Sequence, residues 1–157
     1  MKSEYLRISG IPVILWGEPS EKLFIFVHGE NSSKESAEDF ARIVGEYGYM
    51  TLSFDLPGCG ERANICSACV VEPCDLFHAA RDLSVIYDYA CTRWGLSLYA
   101  KGKSAGFSAA AFDGKRFETC IFDSPDIPED GLRGLSDKVS IGFPTEIGFE
   151  SFIRSSL

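Results

Sequence analysis

The sequence predicts a three-layer α/β sandwich on a mainly parallel sheet, with an antiparallel hairpin at the N-terminal side and a shortened C-terminal end. Three observations predict it. Leu23-Phe24-Ile25-Phe26-Val27 is a short, uniformly apolar, β-prone run, the composition of a strand buried on both faces. Such runs alternate with stretches of helical apolar spacing, and that alternation builds parallel sheets with right-handed crossovers. The third is Gly102-Lys103-Ser104-Ala105-Gly106, a G-x-S-x-G directly after the apolar run Leu96 to Ala100. A sharp strand-to-helix turn of this kind lifts a serine hydroxyl clear of a sheet.

Taken in order, Tyr5 to Ile8 and Pro12 to Trp16 flank a Ser-Gly turn and read as a hairpin. Leu23 to Val27 is the buried strand. Ser33 precedes an amphipathic helix with Phe40, Ile43, Val44 and Tyr47 at helical spacing, ended by Gly48. Met50 to Phe54 is the next strand, and Asp55 opens its loop. Residues 56–74 are irregular and rich in Gly, Pro and Cys. Asp75 is placed to cap a helix from about 76 to 93, whose apolar face carries Leu76, Ala79, Ala80, Leu83, Ile86, Tyr87 and Ala90. Leu96 to Ala100 and Thr119 to Phe122 are strands on either side of a short helix after Ser104. From Asp126 to Leu157 the periodicity is weak, with Val139 to Ile141 and Phe149 to Ile153 as short elements. The chain reads as one domain over 1–157, with its core in 5–125 and an atypical tail in 126–157.

Composition narrows the function. The chain has 157 residues and a net charge of −8, enough length for one real core. An acidic protein without a basic cluster is a poor partner for nucleic acid, whose phosphates require Lys and Arg. No apolar run approaches the roughly 20 residues of a membrane span. The N-terminus lacks the apolar core of a signal peptide. The expectation is a cytoplasmic protein with reduced cysteines and no membrane partner.

G-x-S-x-G alone is a weak signal; its context strengthens it. Small residues follow the serine (Ala105, Ser108, Ala109, Ala110, Ala111), His28-Gly29 follows Leu23 to Val27, and Asp55-Leu56-Pro57-Gly58-Cys59-Gly60 follows Met50 to Phe54. As an ordered set these resemble the α/β-hydrolase superfamily, with H-G after the third strand, D-x-x-G-x-G after the fourth and G-x-S-x-G after the fifth. The resemblance covers about residues 5–125 and is nearest to small serine esterases or peptidase-like hydrolases without a large lid. It implies Ser104 as nucleophile. The backbone N–H of Ala105, with one from Gly29 or Glu30, would form an oxyanion hole facing the charge that develops on a carbonyl oxygen. A phosphate loop is the competing reading of Gly102-Lys103-Ser104, but its first glycine would fall at Ser97, inside the strand.

The base is the difficulty. The order in this superfamily is Ser, then Asp or Glu, then His, yet the only histidines, His28 and His78, precede Ser104. His28 in this motif more often braces its loop than acts as base. Asp123, or Asp126 after it, is a candidate acid beyond the sixth strand; the plainer role is a strand-end carboxylate solvating a turn. Only 34 residues follow Asp123, close to the roughly 30 that one βαβ unit needs, so a full C-terminal part does not fit.

Cysteines supply a separate candidate. Cys66, Cys69, Cys74 and His78 offer three thiolates and an imidazole at short spacing, the ligand count of tetrahedral zinc. Against it stand the missing second C-x-x-C and the helical position of His78. The plainer reading is a set of reduced thiols and an ordinary helix residue, with no cofactor. Cys59, Cys91 and Cys120 read as isolated structural residues, the last two at apolar positions. Two functions therefore stand side by side: a serine hydrolase acting on a small-molecule ester or related acyl substrate, or an inactive or truncated hydrolase-like domain acting in binding. An exposed sixth-strand edge would invite pairing, so either 126–157 folds over it or the chain forms a homodimer through it.

Overall fold

The computed structural model describes residues 1–63, 73–145 and 147–157, with only the helical backbone described for 73–76. Ser3–Ile8 (β1) and Ile11–Trp16 (β2) form the hairpin. Its two-residue turn has positive φ at both positions, 49° at Ser9 and 83° at Gly10, the primed geometry that matches strand twist. Lys22–Val27 (β3), Met50–Phe54 (β4), Gly95–Lys101 (β5), Cys120–Asp123 (β6) and Val139–Gly142 (β7) complete a seven-stranded sheet in the order β1-β2-β4-β3-β5-β6-β7. The strands from β4 to β7 in that order are parallel, and β1 and β2 are antiparallel.

The central position of β3 explains its apolar run. Strand alternation sends Leu23, Ile25 and Val27 to one face and Phe24 and Phe26 to the other, and both faces are covered. Pro73–Cys91 (α2) and Lys103–Ala111 (α3) cover the first face. Glu38–Gly45 (α1) and Phe149–Ser156 (α4) cover the second. A 3-10 turn at Lys34–Ala37 leads into α1. Phe40, Ala41, Ile43 and Val44 bury the inner stripe of α1, while Ile153 does so for α4.

One expectation changes, and of the two alternatives for the sixth-strand edge the structure bears out the first, 126–157 folding over it. Helix α2 begins at Pro73, so Asp75 lies in its first turn rather than at its cap; proline suits that first position because its missing N–H would have had no helical partner. The tail supplies a seventh strand. β7 pairs in parallel with β6, from Cys120↔Val139 to Asp123↔Gly142, so the edge of β6 is covered within the chain. The connection fits because it uses 3-10 turns at Glu129–Gly131 and Arg133–Leu135 instead of a full helix; a parallel crossover needs only about a dozen residues. No helix among the described residues is long and apolar enough to cross a membrane.

Candidate functional site

A cleft of about 980 Å³ opens at the carboxyl ends of β3, β5 and β6 and beneath the loop after β7. Parallel strands bring the loops that follow them to one edge of the sheet, which is where ligands of open α/β sheets bind. Phe26, Tyr99 and Phe149 form an aromatic floor, with Phe26 and Tyr99 stacked at 4.7 Å. Gly29, Glu30, Lys101, Gly102, Lys103, Asp123 and Asp126 contribute to the walls. Glu30 Oε1 accepts an ion pair from Lys103 Nζ at 3.0 Å, joining the β3 loop to the start of α3.

The strained residue of the strand-to-helix turn is Gly102. Its φ of 61° and ψ of −132° lie where side chains other than hydrogen are disfavoured. It stands between the end of β5 and the first residue of α3, and its N–H donates to the Asp123 carbonyl at 2.9 Å. Ser104 lies in the first turn of α3 and is 2% exposed. Its Oγ accepts from the Lys101 N–H at 3.0 Å, and its hydroxyl hydrogen faces the carbonyls of Lys101 at 2.7 Å and Val27 at 3.1 Å. Ser104 does not line the cleft. The Ala105 N–H, the anticipated oxyanion donor, is engaged with the Gly102 carbonyl at 3.1 Å, and Ala105 is fully buried. Lys103, as first helical residue, has no intrahelical carbonyl for its N–H, and Gly29 and Glu30 line the same cleft.

His28 and Asp123 have different fates. His28 is buried, and both of its ring nitrogens are engaged: Nδ1 donates to the Gly29 carbonyl at 2.7 Å, and Nε2 accepts from the Leu56 N–H at 3.1 Å. Burial holds its pKa below the ordinary imidazole value. It braces the β3 loop against the β4 loop and has no nitrogen left to act as a base. The Asp123 carboxylate lines the cleft, accepting from Tyr99 OH at 2.6 Å and Ser124 Oγ at 2.9 Å. Burial and the Asp123 charge push the Tyr99 hydroxyl well above the usual phenol range. No histidine lines the cleft. The Asp123 carboxylate therefore orients a tyrosine, not an imidazole.

No family model matches the sequence, and no curated protein matches it. Solved structures do. The TT1662 protein of Thermus thermophilus superposes with a TM-score of 0.65 at 18% identity, covering 83% of this chain and 61% of its own. The monoglyceride lipase of Saccharomyces cerevisiae gives 0.61 at 14% identity, over 79% and 44%. A predicted CIB-like hydrolase from Thermoplasma acidophilum gives 0.65 at 14% identity, over 99% of this chain and 95% of that one. The chain has the α/β-hydrolase fold. It spans 61% of the Thermus protein and 44% of the lipase, but nearly the whole of the Thermoplasma protein. In an α/β-hydrolase fold the reactive side chain stands on the strained turn between strand and helix, and here that turn carries Gly102. The G-x-S-x-G spelling lies two residues too far along, with its serine already inside α3. Ala100-Lys101-Gly102-Lys103-Ser104 is the small-x-turn-x-small stretch that the structure places there; the signal available in the sequence was Gly102 itself, directly after the strand.

The cysteine cluster falls largely elsewhere. Cys66 and Cys69 lie outside the described residues, as does the side chain of Cys74. His78 is half-buried on α2 with its ring 6.0 Å from that of Phe77. Among the described residues no group of side chains is arranged to hold a metal. Cys59 is disulfide-bonded rather than an isolated thiol. Cys91 is a free, exposed thiol at the end of α2, not the apolar position expected of it. Cys120 is buried in β6, and burial pushes its thiol up to about 12.

Proposed function

We propose that this domain binds a small molecule in the cleft at the carboxyl ends of β3, β5 and β6 and does not perform acyl transfer through Ser104. The observation that carries this reading is the Ser104 hydroxyl, held against the backbone of Lys101 and Val27 with no histidine at the cleft. A serine hydroxyl becomes a nucleophile when a base takes its proton and a carbonyl carbon can approach; the three backbone partners of the Ser104 hydroxyl and the lack of a lining histidine among the described residues speak against both. The fold does not argue otherwise, since one scaffold hosts many chemistries and function follows the site. The solved neighbours illustrate this: they include a haloalkane dehalogenase, a lipase and a thioesterase domain. The cleft has the character of a ligand site, an apolar floor with a few placed polar groups. Its aromatic floor suits an aryl or acyl body, and Lys101, Lys103 and Asp123 offer polar contacts at the rim.

The test combines turnover, labelling and binding. The protein is incubated with a fluorophosphonate probe and with p-nitrophenyl butyrate, alongside Ser104→Ala, and ester binding is followed by ligand-observed NMR. The expected result is binding of the ester with neither covalent labelling nor turnover. Labelling and turnover that disappear in Ser104→Ala would instead establish a serine hydrolase. Absence of binding to any aryl or acyl ligand would remove the binding role.

A further inference from the structure

We propose that the cleft takes a small arylalkyl amine in its protonated form, with the ammonium on the Asp123 carboxylate and the aryl body on the aromatic floor. The proposal rests on the reading of the cleft as a small-molecule site and deepens it by naming the charge of the ligand. Asp55, Asp82 and Asp123 are buried. A charge taken out of water is normally held against an opposite one. Asp55 follows that rule with Lys34, and Asp82 follows it with Arg62. Asp123 departs from it. It is 2% exposed and is held by two neutral hydroxyls, Tyr99 OH donating to Oδ2 and Ser124 Oγ to Oδ1. Among the described residues no cationic side chain forms an ion pair with it, and every Lys, Arg and His of the chain is among them. A carboxylate has about four acceptor sites, so two hydroxyls leave it with capacity for a further donor. Asp123 lines the cleft, where a ligand can supply that donor.

The rest of the lining agrees in sign. The carboxylates of Glu30, Asp39, Asp123 and Asp126 line the cleft, against the ammonium groups of Lys101 and Lys103. Lys103 is engaged by Glu30, and the stem of Lys101 lies beside Gly29. A cleft with an excess of one charge and low-dielectric walls concentrates ligands of the opposite sign. The floor selects the body of the ligand. Tyr99 and Phe149 meet nearly edge to face, with centroids 6.5 Å apart and 83° between their planes, and Phe26 stacks on Tyr99. An aryl ring packs against such a corner, and an ammonium beside the rings is attracted by their negative faces. The N–H of an ammonium on Asp123 makes a charge-assisted hydrogen bond, stronger than a neutral one. An alcohol of the same shape makes that bond without the charge, and a carboxylate ligand is repelled.

The experiment titrates the unaltered chain with three ligands of closely similar shape, 2-phenylethylamine, 2-phenylethanol and phenylacetate, and follows binding by ligand-observed NMR. The titrations are run at about pH 7, where an alkylamine is protonated. The expected result is that the amine binds about tenfold or more tightly than the alcohol, as a hydrogen bond to a buried charged group implies, and that phenylacetate binds most weakly. Asp123→Asn keeps the shape of the side chain and removes its charge, and in it the advantage of the amine over the alcohol should fall below about threefold. Equal affinities for amine and alcohol in the unaltered chain, or tighter binding of phenylacetate, overturn the proposal and leave the cleft a binding site for neutral or anionic ligands. A preference for the amine that survives in Asp123→Asn also overturns it, because the cation is then held elsewhere. Should Asp123→Asn not fold, the comparison of the three ligands on the unaltered chain decides by itself. Absence of binding by all three removes the binding reading and this proposal together, so the two ideas fail on different results.

Discussion

Lys34 and Asp55 form a buried ion pair, Nζ to Oδ2 at 2.7 Å, with side-chain exposures of 1% and 0%. The same carboxylate accepts the backbone N–H groups of Lys34 and Glu61, at 2.9 and 3.0 Å. The pair fastens the approach to α1 onto the loop after β4, next to the Leu56 N–H that His28 holds. Glu61 and Glu35 add partners to the same ammonium, at 2.7 and 3.0 Å.

Removing one partner strands the other. Lys34→Met is expected to cost about 3–5 kcal/mol, because Asp55 is left as an uncompensated buried charge. Lys34→Met with Asp55→Leu should recover part of that loss, and urea unfolding of the four-member cycle measures it. Burial alone would depress the lysine, but its carboxylate partners outweigh that and raise it above the ordinary value. Its contribution is therefore complete below the unfolded lysine pKa of about 10.4 and is lost as pH rises through the raised folded value. Alkaline destabilisation above about pH 10.4 should be shallower in Lys34→Met than in the unaltered protein.

His28 gives a dependence of the opposite sense. Its folded pKa is lowered by burial, so its contribution is complete above about 6.5, the unfolded value, and is lost as pH falls through the folded one. With only two histidines in the chain, His78→Gln assigns the imidazole signals. The His28 resonance should titrate with a midpoint below about 6.5, and a midpoint at or above that value contradicts the buried, doubly bonded ring.

Ser104→Ala tests the hydroxyl as a structural group. The Lys101 N–H loses its acceptor beside a buried site, a loss of about 0.5–2 kcal/mol. For a chain of this length the melting temperature should fall by roughly 2–4 °C per kcal/mol. An unchanged melting temperature would show that the hydroxyl contributes nothing to the turn.

Gly142→Ala tests the seating of α4. A Cβ there would come within 2.6 Å of Phe152 Cε1, so the ring must shift off β7. The expected loss is about 1–3 kcal/mol, and Phe152→Leu in the same chain should recover part of it by opening room. If the two substitutions add independently in thermal unfolding, the ring does not rest on the glycine.

Much of this fold is legible in local patterns. The two-residue turn at Ser9-Gly10, the apolar run of β3 and the apolar stripe of α1 each declare themselves within a few neighbouring residues, because alternation and helical spacing are short-range properties. Val139 to Ile141 and Phe149 to Ile153 were visible as elements; their partners were not. The pairing of β7 with β6 required a crossover made of 3-10 turns, which leaves no periodic trace. Likewise Tyr99 meets Asp123, and Lys34 meets Asp55, only through the register of parallel strands and the closure of distant loops.

By itself, then, the sequence determined the alternating strands and helices, the turn after β5 and the acidic character of the chain. The tertiary structure decided which residue of that turn faces the cleft. Gly102-Lys103-Ser104 offers two small residues, and local composition does not distinguish a strand that ends before the glycine from one that ends before the serine. Pairing of Lys101 with Asp123 extends β5 to Lys101 and puts the strained conformation on Gly102. A shift of two residues at a strand-to-helix junction separates a side chain standing in a cleft from one bonded to its own backbone.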